Sequence, residues 1–152
     1  MRVLFDLNVL IDVACRWQRF PDSLTFYQRI TASPTDQGAF AGCGYTTLYY
    51  IINQILSEER TRAVLTHFCT QLTLIPFTLD VATTAQRLQM PDLEDACIAA
   101  SAFAGGCEVI ASRNVGDFTA SPIAAKTPTE LLTLVQQRGQ HVAEHNDRFS
   151  PQ

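Results

Sequence analysis

The sequence predicts an α/β fold, a three-layer α/β/α sandwich around a central parallel sheet of four or five strands. Short apolar runs such as Val3-Leu4-Phe5 and Val109-Ile110-Ala111 have the length of strands covered on both faces. Longer stretches between such runs repeat apolar residues at i, i+3 and i+4, as helices do. The two kinds of segment alternate along the chain, which is the pattern of a parallel sheet with crossover helices. At 152 residues the chain fits one domain and forms a core without staples.

In chain order, Arg2 to Phe5 is a strand ending at Asp6, and Asn8 to Cys15 is a helix with Leu10, Ile11 and Ala14 on one side. Pro21-Asp22-Ser23 starts a second helix, carrying Leu24, Tyr27 and Ile30 to a break at Ser33-Pro34. Gly38 to Gly44 reads as the second strand, and Thr46 or Thr47 caps a helix through Tyr50 to Leu56. Its run Leu48-Tyr49-Tyr50-Ile51-Ile52 exceeds one helix face, which calls for deep burial or a dimer contact, burial being the simpler. Glu58 to about Gln71 is helical, with His67 a structural residue beside Val64 and Phe68. Leu72 to Phe77 is the third strand, and Thr78 or Asp80 caps a helix through Leu88. Met90-Pro91 breaks it. Asp92 opens an alanine-rich helix with Ala96, Ala99, Ala100 and Phe103 at helical spacing, closed by Gly105-Gly106. Glu108 to Ala111 is the fourth strand, Ile123 to Lys126 a short fifth, and Pro128 starts a last helix ending before Gly139. The domain thus spans 1–138, with 139–152 a polar tail; His141 and His145 in that tail lack a matching third ligand and read as solvated.

Composition narrows the function classes. The chain is 47% hydrophobic and 17% charged, which is globular rather than disordered. No apolar run approaches the roughly 20 residues of a membrane helix, and strand-like sequence right after Met1 leaves no room for a signal peptide. A cytoplasmic protein with no membrane partner is expected. Five scattered cysteines without a CxxC pair fit reduced, mostly buried thiols rather than a zinc site or disulfides. The net charge of −4 excludes a globally basic nucleic-acid binder. Of eleven basic residues only Lys126 is lysine; the rest are arginines, suited to two-pronged phosphate contacts.

In parallel sheets, sites form beyond the carboxyl ends of the strands. Asp6 and Asn8 follow the first strand, and Ser112, Arg113, Asn114 and Asp117 follow the fourth. Asp92, Glu94 and Asp95 open the helix between them, Asp92 and Asp95 sharing one face. Taken singly, each cluster has an ordinary explanation. Acids in a helix's first turn stabilise its dipole by roughly 0.3–1 kcal/mol each, and Asp6 or Asn114 can merely cap a turn. Taken together, acids gathered at strand ends without intervening lysine or arginine repel unless a cation occupies the gap. Hard oxygen ligands of this kind suit Mg²⁺ or Mn²⁺.

Val3-Leu4-Phe5-Asp6-Leu7-Asn8-Val9-Leu10 resembles the opening of PIN domains, a hydrophobic strand followed by Asp-x-Asn. Asp92-Leu93-Glu94-Asp95-Ala96 resembles that family's third motif, and Ser112-Arg113-Asn114-Val115-Gly116-Asp117-Phe118 its fourth, in the family's order. The resemblance covers roughly 2–135. It implies a Mg²⁺- or Mn²⁺-dependent endoribonuclease acting on single-stranded RNA. Such domains often serve as the toxin of a VapBC-type pair with an antitoxin partner, and commonly as homodimers. Carried over by position, Asp6, Asp95 and Asp117 bind or organise the metal with Asp92 as an accessory acid, while Asn8, Glu94, Ser112 and Asn114 are supporting polar groups. Arg16, Arg19 and Arg113 are placed beside the cleft to hold RNA phosphates.

One departure stands out. The family's second motif carries a glutamate in the helix after the second strand, a position that falls here on Thr47 or Tyr49. Either Asp92 or Glu94 compensates, or the chain is a catalytically degenerate PIN module that binds RNA or a protein. Two other α/β classes fit worse. Asn8 stands where haloacid-dehalogenase phosphatases need an acid, and no aspartate follows the third strand where receiver domains carry theirs.

Overall fold

The computed structural model describes residues 1–147, with side chains through Arg138. Five short strands, β1 (Arg2–Phe5), β2 (Gln37–Ala41), β3 (Thr73–Ile75), β4 (Val109–Ala111) and β5 (Ala125–Lys126), form one sheet in the order β3-β2-β1-β4-β5. Every neighbouring pair is parallel. Val3, Leu4, Phe5, Ala39, Phe40, Ile110 and Ala111 are all inaccessible, so the central strands read as continuous apolar runs because helices cover both faces.

The helices are α1 (Leu7–Cys15), α2 (Pro21–Thr31), α3 (Tyr45–Asn53), α4 (Glu58–Gln71), α5 (Leu79–Arg87), α6 (Leu93–Ala104) and α7 (Pro128–Asp147). On one side α6 lies against β2, β3 and β4, with α5 packed over it. Its alanines explain the fit. Ala99 and Ala102 meet the sheet-side core, while Ala96 and Ala100 meet Val81 and Ala85 of α5, so both faces admit close neighbours. On the other side α2 packs on β2 and is flanked by α1 and α7, with α3 joining α1 to α4.

The chain leaves β1 toward β2 and β3, then returns to place β4 on the other side of β1. That reversal between β1 and β4 is the switch point at which parallel sheets open a crevice. The strand ends there are tied: the Asp6 N–H donates to the Ala111 carbonyl at 2.9 Å.

Several boundaries depart from the sequence expectation for identifiable reasons. Gly42–Gly44 forms a turn of 3-10 helix rather than the end of β2. A Cβ on Gly42 would sit 2.8 Å from the Ile75 carbonyl oxygen and 3.4 Å from the Phe77 nitrogen, so the backbones converge closely there. Because main chain cannot yield as a side chain can, Gly42→Ala is expected to cost about 1–3 kcal/mol in urea unfolding. Helix α3 starts at Tyr45 without a side-chain cap, so neither Thr46 nor Thr47 serves as one. Leu48 and Ile52 are fully buried as expected, but Tyr50 is 68% exposed. His67 is exposed, with its ring 6.0 Å from that of Tyr27. Thr78, not Asp80, caps α5, accepting from the Val81 N–H. Helix α7 continues through Gly139 to Asp147, so the expected break there does not occur; one glycine costs a helix only about 1 kcal/mol. The side chains of His141 and His145 lie outside the described residues, as does the end of the polar tail.

Candidate active site

Asp6 is the fixed point of the site. It follows β1 in extended conformation and is only 5% exposed. One oxygen, Oδ1, accepts the Leu7 N–H at 2.7 Å and starts α1. The other, Oδ2, accepts from Asn8 Nδ2 at 2.7 Å and Ser112 Oγ at 2.6 Å. The two supports are themselves joined: Asn8 Nδ2 donates to Ser112 Oγ, and the Arg113 N–H donates to Asn8 Oδ1. Ser112 Oγ also accepts the Asn114 N–H at 3.0 Å. The residues after β1 and β4 therefore lock each other. The side chains of Asn8 and Ser112 orient the first aspartate, while Asn114 enters the β4 turn through its backbone.

Asp6 opens onto a cleft of about 260 Å³ that Glu94 and Asp95 border from the start of α6 and Asp117 from the turn after β4. Burial is the main cause that pushes the Asp6 carboxyl up, partly opposed by its bonds to Ser112 and Leu7; the charges of Glu94 and Asp117 add to the rise. Asp95 is pushed to about 6, first by burial and then by the charges of Asp6, Asp92, Asp117 and Glu94. Four acids thus face one space at mutual cost. No histidine or cysteine lines that space.

Asp92 is placed differently. Its Oδ1 accepts the N–H groups of Glu94 at 2.8 Å and Asp95 at 3.1 Å, which makes it the N-cap of α6, and it does not line the cleft. The ordinary explanation of this acid is the one the geometry supports. Of the two positions for the absent second-motif glutamate, Thr47 borders the cleft. Tyr49 instead lies against the Arg62 guanidinium, 5.8 Å from ring centre.

The arginines separate too. Arg113 borders the cleft, its Nε 3.0 Å from Asp12 Oδ2 and its guanidinium 4.0 Å over the Phe20 ring. The Nε–Oδ2 alignment falls short of a hydrogen bond, so the contact is chiefly electrostatic. Arg19 shares a neighbouring cavity of about 250 Å³ with Arg113, at the starts of α2 and α7. Arg16 is elsewhere. It borders a groove with Tyr27 and His67, away from the acids.

Asp12 escaped the sequence reading. It is 1% exposed, bonded by Ser23 Oγ at 2.7 Å, and it anchors Arg113. Burial is the first cause that pushes its carboxyl up, against the lowering by Ser23 and Arg113. The legible signal was a charge inside the apolar stretch Leu10-Ile11-Asp12-Val13, since a carboxylate buried there needs a cation.

The donor set fits a hard divalent cation. Among the described residues, no group of three or more His, Cys, Asp or Glu side chains is placed to hold a metal ion.

Comparison with known proteins places this geometry. A family model described as PIN domain matches residues 2–116. A toxin-antitoxin complex from Klebsiella pneumoniae contains a chain 28% identical at TM-score 0.61, covering 83% of this chain and 97% of that one. VapBC2 from Rickettsia felis, bound to a DNA fragment from its promoter, is similar at TM-score 0.67 and 15% identity, with 84% and 98% covered. VapC20 from Mycobacterium tuberculosis, described as a sarcin-ricin loop cleaving toxin, is similar at TM-score 0.62 and 14% identity, with 80% and 96% covered. No curated protein matches the chain in sequence. The matched segment runs from β1 through β4 into the turn that follows and ends one residue before Asp117, and this chain belongs to the PIN-domain family.

Proposed function

We propose that this PIN domain is a Mg²⁺- or Mn²⁺-dependent endoribonuclease acting on single-stranded RNA, the toxin of a toxin–antitoxin pair. The observation that carries the chemistry is the convergence of Asp6, Glu94, Asp95 and Asp117 on one cleft at the switch point of the sheet. Asp6, Asp95 and Asp117 would hold the cation, and Glu94 takes the place of the acid missing at Thr47. A cation held by these carboxylates would supply Lewis acidity toward water and the scissile phosphate.

The chain's own groups do the positioning. Asn8 and Ser112 both donate to Asp6 Oδ2 and so orient the carboxylate. Arg113, steadied by Asp12 and Phe20, presents a guanidinium at the cleft's edge where a phosphate of the strand would lie. Arg19 extends that cationic edge into the adjoining cavity. Such a local edge answers the acidic net charge of the chain. The toxin assignment rests on the similarity to chains of toxin–antitoxin complexes, and implies an antitoxin partner and a homodimer.

Incubation of a labelled unstructured RNA with the protein and Mn²⁺ tests the activity. Internal cleavage that stops with EDTA and is lost in Asp6→Asn is expected; RNA left intact by well-folded wild type with Mn²⁺ and with Mg²⁺ would contradict it. A second reading, a binding module without cleavage, is favoured by Thr47 alone. The arginine edge has its own readout. Arg19→Gln with Arg113→Gln should weaken RNA binding and flatten its dependence on salt by about one unit of slope per lost phosphate contact. An unchanged slope removes both from the RNA surface.

A further inference from the structure

The sole tryptophan of the chain, Trp17, lies in the loop between α1 and α2 and borders the acidic cleft. It is the only aromatic side chain among those lining that space, together with Ile11, Thr47 and Ile51. Trp17 remains 38% exposed, so part of its indole is open to a ligand in the cleft. The loop holds it there. Arg16 caps α1 in left-handed conformation (φ 49°), the N–H groups of Arg16 and Trp17 both donate to the Asp12 carbonyl, and the Trp17 carbonyl accepts the Phe20 N–H at 3.0 Å. A non-glycine residue kept at positive φ marks a turn whose shape is fixed at a local cost.

We infer that Trp17 is a stacking platform for a nucleobase of the RNA strand, next to the phosphate that a cation held by Asp6, Asp95 and Asp117 would draw in. The proposal rests on the ribonuclease reading and deepens it. A phosphodiester in the cleft brings its attached nucleoside with it. The acids repel phosphate and offer a neutral base little apolar contact, whereas an indole face offers every base a π surface. Because stacking tolerates all four bases, this platform grips single-stranded RNA without reading its sequence, and excludes duplex whose bases are already stacked.

A single tryptophan makes the test direct. The wild-type protein is titrated with a labelled hexa-adenylate in Ca²⁺, an oxygen-seeking ion that lacks the paramagnetic quenching of Mn²⁺. Binding is followed by anisotropy of the label and, separately, by tryptophan emission. Adenylate is expected to quench the emission with the midpoint that anisotropy gives, and an abasic strand of equal charge to bind more weakly without quenching. Trp17→Ala should weaken binding about tenfold, and Trp17→Phe by no more than a few fold, the scale of one stacked base. If the strand binds by anisotropy with emission unchanged, and Trp17→Ala binds equally well, the platform is wrong while the RNA reading stands. If wild type binds neither strand, the RNA reading fails and the platform with it.

Discussion

Asp95→Asn should leave the metal-free protein more stable at neutral pH while reducing RNA cleavage by about 10²-fold or more. The carboxyl of Asp95 sits near 6 in the folded chain against an ordinary 3.8, through burial and then the charges of Asp6, Asp92, Asp117 and Glu94. A raised folded value means that the folded form binds the proton more tightly than the unfolded one. Stability from this group is therefore greatest below about pH 4 and is lost as pH rises through 6. The full linkage for about two units is roughly 3 kcal/mol; with Asp95 partly exposed, an asparagine gain on the order of 1–2 kcal/mol is expected above pH 6. Urea unfolding of both proteins at pH 4 and pH 7.5 checks this. A gain at pH 7.5 that shrinks toward zero at pH 4 is expected, and a loss of stability at pH 7.5 would show that Asp95 is structurally paired rather than strained.

Glu94→Gln should reduce cleavage about as much as Asp6→Asn, on the order of 10²–10³-fold, while Asp92→Asn should change it less than tenfold. Asp92 is the N-cap of α6 and Glu94 stands in its first turn, and sequence alone left open which of them replaces the missing glutamate. The structure separates them. Glu94 faces the cleft with Asp95, whereas Asp92 turns its carboxylate back onto two backbone N–H groups. Asparagine caps a helix as well as aspartate does, so Asp92→Asn should also unfold at nearly the wild-type urea concentration. Steady-state cleavage by the three variants decides the matter. If Glu94→Gln retains near wild-type turnover, the absent glutamate is not replaced by this residue.

Much of this arrangement was legible before any coordinates. Uninterrupted apolar runs at Val3–Phe5 and Val109–Ala111 announced strands buried on both faces, and Asp6 and Asp117 stood where parallel sheets place their sites. Boundaries were less legible where close packing decides them. Gly42–Gly44 has strand-like neighbours, but its approach to the Ile75 carbonyl turns it out of β2. The arginines were the weakest part of the reading, because proximity in sequence does not give direction. Arg16 and Arg19 are three residues apart, yet the left-handed turn at Arg16 sends one to the Tyr27 groove and leaves the other beside Arg113. Asp12 and Trp17 were readable in principle, one as a charge in an apolar stretch and the other as a lone tryptophan in a polar loop. Neither belongs to a motif, so only tertiary structure shows what each one touches.

The proposed cation site brings the like-charged carboxylates of Asp6, Glu94, Asp95 and Asp117 to one cleft. Melting of wild-type protein across a Mn²⁺ titration, beside Asp95→Asn, tests it most directly. A ligand that binds only the folded state stabilises by about RT ln(1 + [L]/Kd), roughly 2.7 kcal/mol at a hundredfold excess over Kd. The melting temperature is expected to climb with Mn²⁺ in wild type and to stay nearly flat in Asp95→Asn. A wild-type protein whose melting temperature ignores Mn²⁺ and Mg²⁺ alike would contradict the proposed site.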